Sequence, residues 1–366
     1  MTLESQRIKG SYNPGDVTFL LKRVQIVPTD VATKERLIQS GVAHYSEMIS
    51  DERRPDARYL RIFEAARAKG VDRIAQEMCG LARRIAQRIA AGTLAPQITL
   101  CSLVRAGVPY GVLLQRELRA LGVDSCHFGV SIIRDRGLDR NALAFILDRR
   151  PTDGVVFVDG WTGKGAIATE LQKSWRDITG QGPAELVVLA DPSGFATMSG
   201  SHDDWLIPSG ILGANVSGLI SRSILNRDVI GSGDFHGSVA VDHLADIDVS
   251  LDFVDQITAR MAVYRDNPAP PDPPQDAQAL QAQALAAVNA IAEHFDVTNL
   301  NRIKPGIAEA TRALLRRKPQ KVFLRSLDDP DLEALIHLCR TDCVDMIPDE
   351  ALTGPYRAVT LIEKVA

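Results

Sequence analysis

The sequence predicts an α/β protein: a mostly parallel sheet with both faces covered, followed by a smaller C-terminal α/β/α unit. Three observations carry this. Short apolar runs alternate with helical spacing between residues 62 and 190, the pattern of parallel strands joined by crossover helices. One such run, Val155-Val156-Phe157-Val158, ends in Asp159 and a glycine-rich turn that opens a helix. Finally, Asp266-Asn267-Pro268-Ala269-Pro270-Pro271-Asp272-Pro273-Pro274-Gln275 is proline-rich and lacks large apolar groups, which reads as an extended spacer. The expected division is therefore 1–265, a linker at 266–276, and 277–366.

In chain order, 62–91 reads as a long helix, 97–104 as a strand, 111–121 as a helix and 128–133 as a strand. A helix at 142–147, the strand at 155–158, a helix from Ala166 and a strand at 186–190 follow. Beyond the spacer, 277–295 is alanine-rich and helical. A strand at 322–324 precedes Asp328-Asp329-Pro330-Asp331, whose acidic groups suit the start of a helix running to Cys339. Late strands are expected at 343–347 and 358–362. In open parallel sheets, ligands bind beyond the carboxyl ends of the strands, so the strand-end loops are read jointly.

Composition bounds the function. With 45% hydrophobic and 24% charged residues the chain is an ordinary globular sequence, and its 366 residues allow two domains. A net charge of -4 supplies no global field for nucleic acid, so RNA contact would need a local patch. No apolar run approaches membrane-spanning length and 1–13 has no apolar signal core, so a cytoplasmic protein is expected. Five scattered cysteines argue against a disulfide framework.

The turn Asp159-Gly160-Trp161-Thr162-Gly163-Lys164-Gly165 would place free backbone N–H groups at a helix start, a cradle for phosphate. Asp159 would accept from sugar hydroxyls or hold Mg²⁺, directly or through water. The turn is not a Walker A loop: Gly160 and the Gly163-Lys164 pair are too close, and Gly165 replaces the metal-binding hydroxyl. Arg105-Ala106-Gly107, after the 97–104 strand, suits a second anion. Arg134-Asp135-Arg136-Gly137 reads as a basic flap, and Asp191-Pro192-Ser193 places polar groups at a fourth strand end. A phosphorylated ribose carrying a diphosphate matches this set.

The set resembles a type I phosphoribosyltransferase core. More of the chain, about 10–253, resembles a divergent phosphoribosyltransferase-like family of tellurite-resistance and stress operons, also labelled the cysteine protease StiP. The resemblance is carried by the segments from Gly10 to Lys22, from Gln39 to Glu47 and from Ile207 to Leu212. It implies an Mg²⁺-dependent transferase acting on phosphoribosyl diphosphate and a base-like acceptor, making a modified nucleoside or nucleotide in a stress response. Asp159, Arg134 and Arg136 would be catalytic. Arg105, Ala106, Gly107, Gly160, Thr162, Gly163, Lys164 and Gly165 would bind the donor. Asp191, Ser193, Ser209, Asn215 and Ser217 would meet the acceptor.

The C-terminal unit resembles PELOTA-type RNA-binding domains. Gly306, Glu309 and Arg312 match that family's helix-start motif, with Ala308 where asparagine is expected, and the basic run 312–321 offers phosphate contacts. The expected partners are the donor, the acceptor, RNA at this unit and a second copy of the chain, with no membrane. Two alternatives stand beside the transferase: a non-catalytic nucleotide-sensing RNA binder, and a thiol hydrolase. A protease needs a thiolate beside a base, yet adjacent Cys126 and His127 would point to opposite faces of a strand, and Cys101 sits inside an apolar one.

Overall fold

The computed structural model describes residues 6–266 and 275–364; most of the predicted spacer lies outside them. The N-terminal unit contains strands β1 (Thr18–Phe19), β2 (Lys22–Arg23), β3 (Gln97–Leu103), β4 (Asp124–Val130), β5 (Ile132–Ile133), β6 (Gly137–Leu138), β7 (Val155–Trp161), β8 (Glu185–Ala190), β9 (Met198–Ser201) and β10 (Gly237–Ser238). Its helices are α1 (Val31–Gln39), α2 (Ala57–Ala90), α3 (Val108–Ala120), α4 (Arg140–Leu147), α5 (Ala166–Thr179) and α6 (Ser250–Tyr264).

The main sheet has the order β1-β4-β3-β7-β8-β9 and every pairing in it is parallel. Alternate residues along a strand face opposite ways, so a sheet covered on both sides needs continuous apolar runs. Leu100, Val156, Val158 and Val187 pack on the side of α2, α3 and α6. Cys101, Phe157, Leu186 and Val188 pack on the other side with α4 and α5, where Phe157 meets Trp175 edge-on at 5.5 Å. The predicted strand 128–133 is two elements: β4 starts earlier, and β5 turns away to pair antiparallel with β6. The predicted basic flap is the tip of that hairpin, with Asp135 at φ 64°.

The C-terminal unit contains α7 (Ala277–His294), β11 (Ile303–Pro305), α8 (Ile307–Arg316), β12 (Pro319–Leu324), α9 (Glu333–Thr341), β13 (Asp345–Pro348), α10 (Glu350–Thr353) and β14 (Ala358–Ile362). Its sheet runs β11-β14-β12-β13, parallel only between β12 and β13. One face packs on α7 through Phe323, Val359 and Leu361. The other carries α8 and α9, and its apolar cluster is continuous with the N-terminal core through Trp161, Ile207, Ile211, Ile307 and Ala308. The two units thus share one buried apolar layer. No helix among the described residues is long and apolar enough to cross a membrane.

Candidate functional site

At the carboxyl end of β7 the backbone N–H of Gly160 donates to the Asp159 carboxylate at 2.8 Å, and Thr162 N–H donates to the Ala190 carbonyl at 3.0 Å. Among the described residues, the N–H groups of Gly163, Lys164 and Gly165 make no hydrogen bond. Gly165 adopts φ +81°, and a Cβ there would overlap the Phe195 ring. The turn is therefore shaped as a cradle, but the C-terminal unit covers it. Tyr356 OH donates to the Gly163 carbonyl at 3.2 Å. Lys164 Nζ donates to the carbonyls of Leu300 and Ile303. Between the two units is a cavity of about 80 Å³ bounded by Asp159, Thr162, Lys164, Arg134, Lys304 and Glu309, and Asp159 and Arg134 also line a wider groove of about 650 Å³.

Several expected ligand contacts are consumed by the protein itself. Arg105 is buried, donates to the Ile220 carbonyl at 2.8 Å and pairs with Glu52. Gly107 is small because β7 passes against it: a Cβ would overlap the Val158 carbonyl. Ala106 does line the cavity. Thr162, Asp191 and Ser193 form a buried chain, Ser193 Oγ to Thr162 Oγ1 at 2.7 Å and Thr162 Oγ1 to Asp191, whose carboxylate also accepts from Phe195 and Ala196 N–H. Asp191 and Ser193 hold this turn through those hydrogen bonds. Ser209 is engaged by Tyr110 OH at 2.6 Å, Ser217 donates to the Gly213 carbonyl at 2.7 Å, and Asn215 bonds Gly213 N–H and the Ile247 carbonyl. All three are buried and hydrogen-bonded within the N-terminal unit. Arg134 donates to Asn301 Oδ1 at 2.9 Å, and Arg136 lies 3.9 Å from Glu47.

The helix-start motif expected to meet RNA is also covered, while Lys318 and Gln320 of the basic run are exposed. Gly306 and Arg312 are buried, Arg312 lying 4.5 Å over the Trp161 ring, while Glu309 looks into the cavity. The helix start that carries the PELOTA motif thus docks on the N-terminal unit because its apolar side, Ile307, Ala308 and Ala310, completes the shared core.

Burial pushes the Asp159 carboxyl up to about 7, against the Gly160 N–H and the charge of Arg312, which favour the anion. A raised folded-state pKa contributes stability fully below about pH 4, where the unfolded group is also protonated, and loses it as pH rises through 7. Asp159→Asn should therefore be more stable than wild type at pH 8, by about 2 kcal/mol after allowing for partial exposure, with the gap closing toward pH 4. Urea denaturation at the two pH values tests this; a pH-independent difference would refute it. The residues do not fit Mg²⁺ well. No group of three or more metal-ligating side chains exists among the described residues, and the single carboxylate at the turn is half-buried and favours its proton.

The thiols fall in three settings. Cys79, Cys101 and Cys339 are buried. Burial pushes the thiols of Cys79 and Cys339 up to about 12 and that of Cys101 well above its usual range. Cys343 is exposed, and Cys126, at the start of β4, is half-buried with Sγ 3.6 Å from Thr99 Oγ1. Among the described residues no thiol is hydrogen-bonded to an imidazole. His127 is buried on the other sheet face, between Ser102 Oγ and the Asp16 carbonyl at 2.7 Å each, and burial pulls it down to about 4.

Sequence reasoning missed Lys34, Glu52, Asp204, Lys304 and Tyr356. The basic run on α8 was visible, but its destination, the seam between the units, was not.

Fold and site together define a two-unit α/β protein whose C-terminal unit closes a cationic seam over the strand-end turn of the first. Residues 10–258 match the family described as tellurite-like stress resistance cysteine protease StiP, and 282–364 match the PELOTA RNA binding domain. The protein named Cysteine protease StiP from Acinetobacter baylyi is 47% identical over 374 residues, covering 98% of this chain and 95% of that protein. The chain belongs to the StiP family. Among solved structures, a hypoxanthine phosphoribosyltransferase of Trypanosoma cruzi is 17% identical, with a TM-score of 0.29 over 36% of this chain and 77% of that one. The same enzyme in complex with its product IMP is 18% identical, with a TM-score of 0.28 over 35% and 70%. Likeness this slight identifies no activity. The expected Mg²⁺-dependent transfer from phosphoribosyl diphosphate is overturned: the relative that matches nearly the whole chain is named a cysteine protease, the class the sequence reading had kept as an alternative.

Proposed function

We propose that this chain is a thiol hydrolase that cleaves peptide bonds, acting in the cytoplasm in a stress response. One observation carries the reading: 47% identity across 98% of the chain to a protein named a cysteine protease. The thiol assigned to the chemistry is Cys126. It is half-buried, whereas three of the five thiols are buried and raised away from the reactive thiolate form. Arg150 Nε donates to Thr99 Oγ1 at 3.1 Å, the same oxygen that Cys126 Sγ meets, and the Arg150 guanidinium is itself paired with Asp124. In such a hydrolase the sulfur of the thiolate is the nucleophile.

The same reading treats 1–265 as the hydrolase unit, on a scaffold of phosphoribosyltransferase type, and 277–366 as the unit that covers it. The parallel sheet order and the Asp159 turn support the scaffold assignment.

The test is iodoacetamide labelling followed by mass spectrometry, with hydrolysis of fluorescent casein measured alongside. Cys126 should label ahead of Cys79, Cys101 and Cys339, and Cys126→Ala should lose at least a hundredfold in rate while Cys343→Ala retains it. Full hydrolysis by Cys126→Ala would end the assignment.

A further inference from the structure

Beside the strand-end turn the seam holds a further cavity, lined by residues of α1, of the Arg222 loop and of α8. It has a volume of about 240 Å³ and opens into a groove of about 650 Å³ that Ala106, Arg134, Arg136 and Asp159 of the strand-end loops also line. Arg222, Lys304, Arg312, Arg316 and Arg317 line both, and Lys34 lines the first. Lys34 lies on α1 and Arg222 in a loop of the N-terminal unit; the other four come from β11, α8 and its end. The space exists only while the units are docked.

So many cations in one part-buried space call for countercharge. The protein supplies little. Of the six, Arg317 alone forms an ion pair among the described residues, with Glu35. Arg222 donates to the carbonyls of Tyr45 at 2.6 Å, Ser223 at 3.1 Å and Met48. Lys34 Nζ donates to the Arg316 carbonyl at 3.4 Å, and Arg312 Nε to that of Gly210 at 3.4 Å. Carbonyls and ring faces orient these groups without cancelling their charge. Asp51, Glu52 and Glu309 also line the cavity, and Glu47, Asp135 and Asp159 the groove, but none of them pairs with the six cations, and Glu52 is committed to Arg105. Arg316 Nη2 is buried with no hydrogen-bond partner.

Protonation reports the same deficit. Burial, then the charges of Arg222 and Arg317, pull Lys34 down to about 8. Burial, then Arg316 and Arg105, pull Arg312 down to about 9. Lys304, facing Arg134, Lys164, Glu309 and Arg317, falls to about 7 through burial and the Arg134 charge.

We propose that the seam cavity binds a small, multiply charged anion of the phosphate-ester or oligophosphate class, and that its occupant fastens the C-terminal unit to the first. Arginine forks match phosphate oxygens in pairs, and Arg316 has a donor to spare. Walls from both units and a volume of about 240 Å³ suit a compact ligand. A nucleic-acid strand needs an open basic track with stacking faces, and the Trp161 face is already taken by Arg312. The proposal stands apart from the thiol reading.

The test is a thermal-shift series on the full chain with inorganic phosphate, pyrophosphate and tripolyphosphate, with ionic strength matched by chloride. A ligand that binds only the folded state must raise its melting temperature. Tripolyphosphate at 1 mM should raise it by about 3 °C, more than pyrophosphate and phosphate do. Arg316→Gln and Lys34→Gln, each read against its own ligand-free baseline, should lose at least half of the rise. Titration calorimetry at pH 8 in two buffers should show proton uptake, because a bound anion draws the proton back to Lys304. The idea fails if no probe exceeds the chloride control, if both variants keep the full rise, or if single-stranded RNA raises the melting temperature and tripolyphosphate does not.

Discussion

Replacing Asp204 with alanine should loosen the C-terminal unit from its partner and lower the stability of the chain by about 2–5 kcal/mol. The Asp204 side chain is 8% exposed and reaches across the seam. Its carboxylate accepts from Ile307 N–H at 3.1 Å and 3.2 Å and from Arg357 N–H at 2.8 Å. Ile307 opens α8, and Gly306 before it has no side chain with which to cap that helix. Asp204 is thus a cap supplied from another unit, meeting an N-terminus whose dipole favours negative charge. Alanine would strand two backbone donors, each costing about 1–3 kcal/mol when buried without a partner. Burial pushes Asp204 up to about 6 despite those donors, so the group is only weakly held as an anion near neutral pH. Asp204→Asn, which keeps an acceptor oxygen, should recover part of the loss. Urea denaturation measures the first effect and hydrogen exchange at the Ile307 amide the second. A wild-type midpoint together with an unchanged exchange rate for Asp204→Ala would remove Asp204 from this role.

What the sequence disclosed, and what it hid, follows from the range of the interactions. Strands β3, β7 and β8 were legible because both their faces are buried and they are dominated by apolar residues, Thr99 and Ser102 in β3 apart. Strand β9 was missed: Met198-Ser199-Gly200-Ser201 has one large apolar side chain, and it joins the sheet by pairing with β8 alone. The glycine-rich turn after β7 was found because clustered glycines mark a turn locally, while the left-handed backbone of Gly165 became visible only in the structure. The purpose of Gly107 was misread for the opposite reason. A small residue in a loop looks the same whether a ligand or a neighbouring strand approaches it, and here β7 does. The charge of α8 was visible along the chain, but its contact with Trp161 depends on a packing choice 151 residues away in sequence, which spacing cannot show. Polar residues chosen as acceptor contacts, Ser209 among them, were chosen by type; whether a hydroxyl is already spent on Tyr110 is decided by the tertiary fold.

Arg105 shows how far that limit reaches, and it yields the other large expected effect: Glu52→Ala should cost about 3–5 kcal/mol. The Arg105 side chain is 2% exposed and that of Glu52 16%, and the two form a direct ion pair. Burial alone would raise Glu52, but the Arg105 guanidinium, Arg316 and the Ala214 N–H at 2.8 Å hold it down to about 2. A folded-state pKa below the ordinary carboxylate value means the pair contributes fully above about pH 4.5 and is lost as pH falls toward 2. Without Glu52 the buried guanidinium keeps only the Ile220 carbonyl, and its Nε has no partner even now. An uncompensated buried charge is worse than none. Removing both ends should therefore hurt less than removing one: Glu52→Met combined with Arg105→Met should lie closer to wild type than Glu52→Ala does. Urea midpoints of the three proteins at pH 7 decide this. Were Arg105 instead a ligand-binding cation facing solvent, Glu52→Ala would leave stability within about 1 kcal/mol of wild type, the range of an exposed pair.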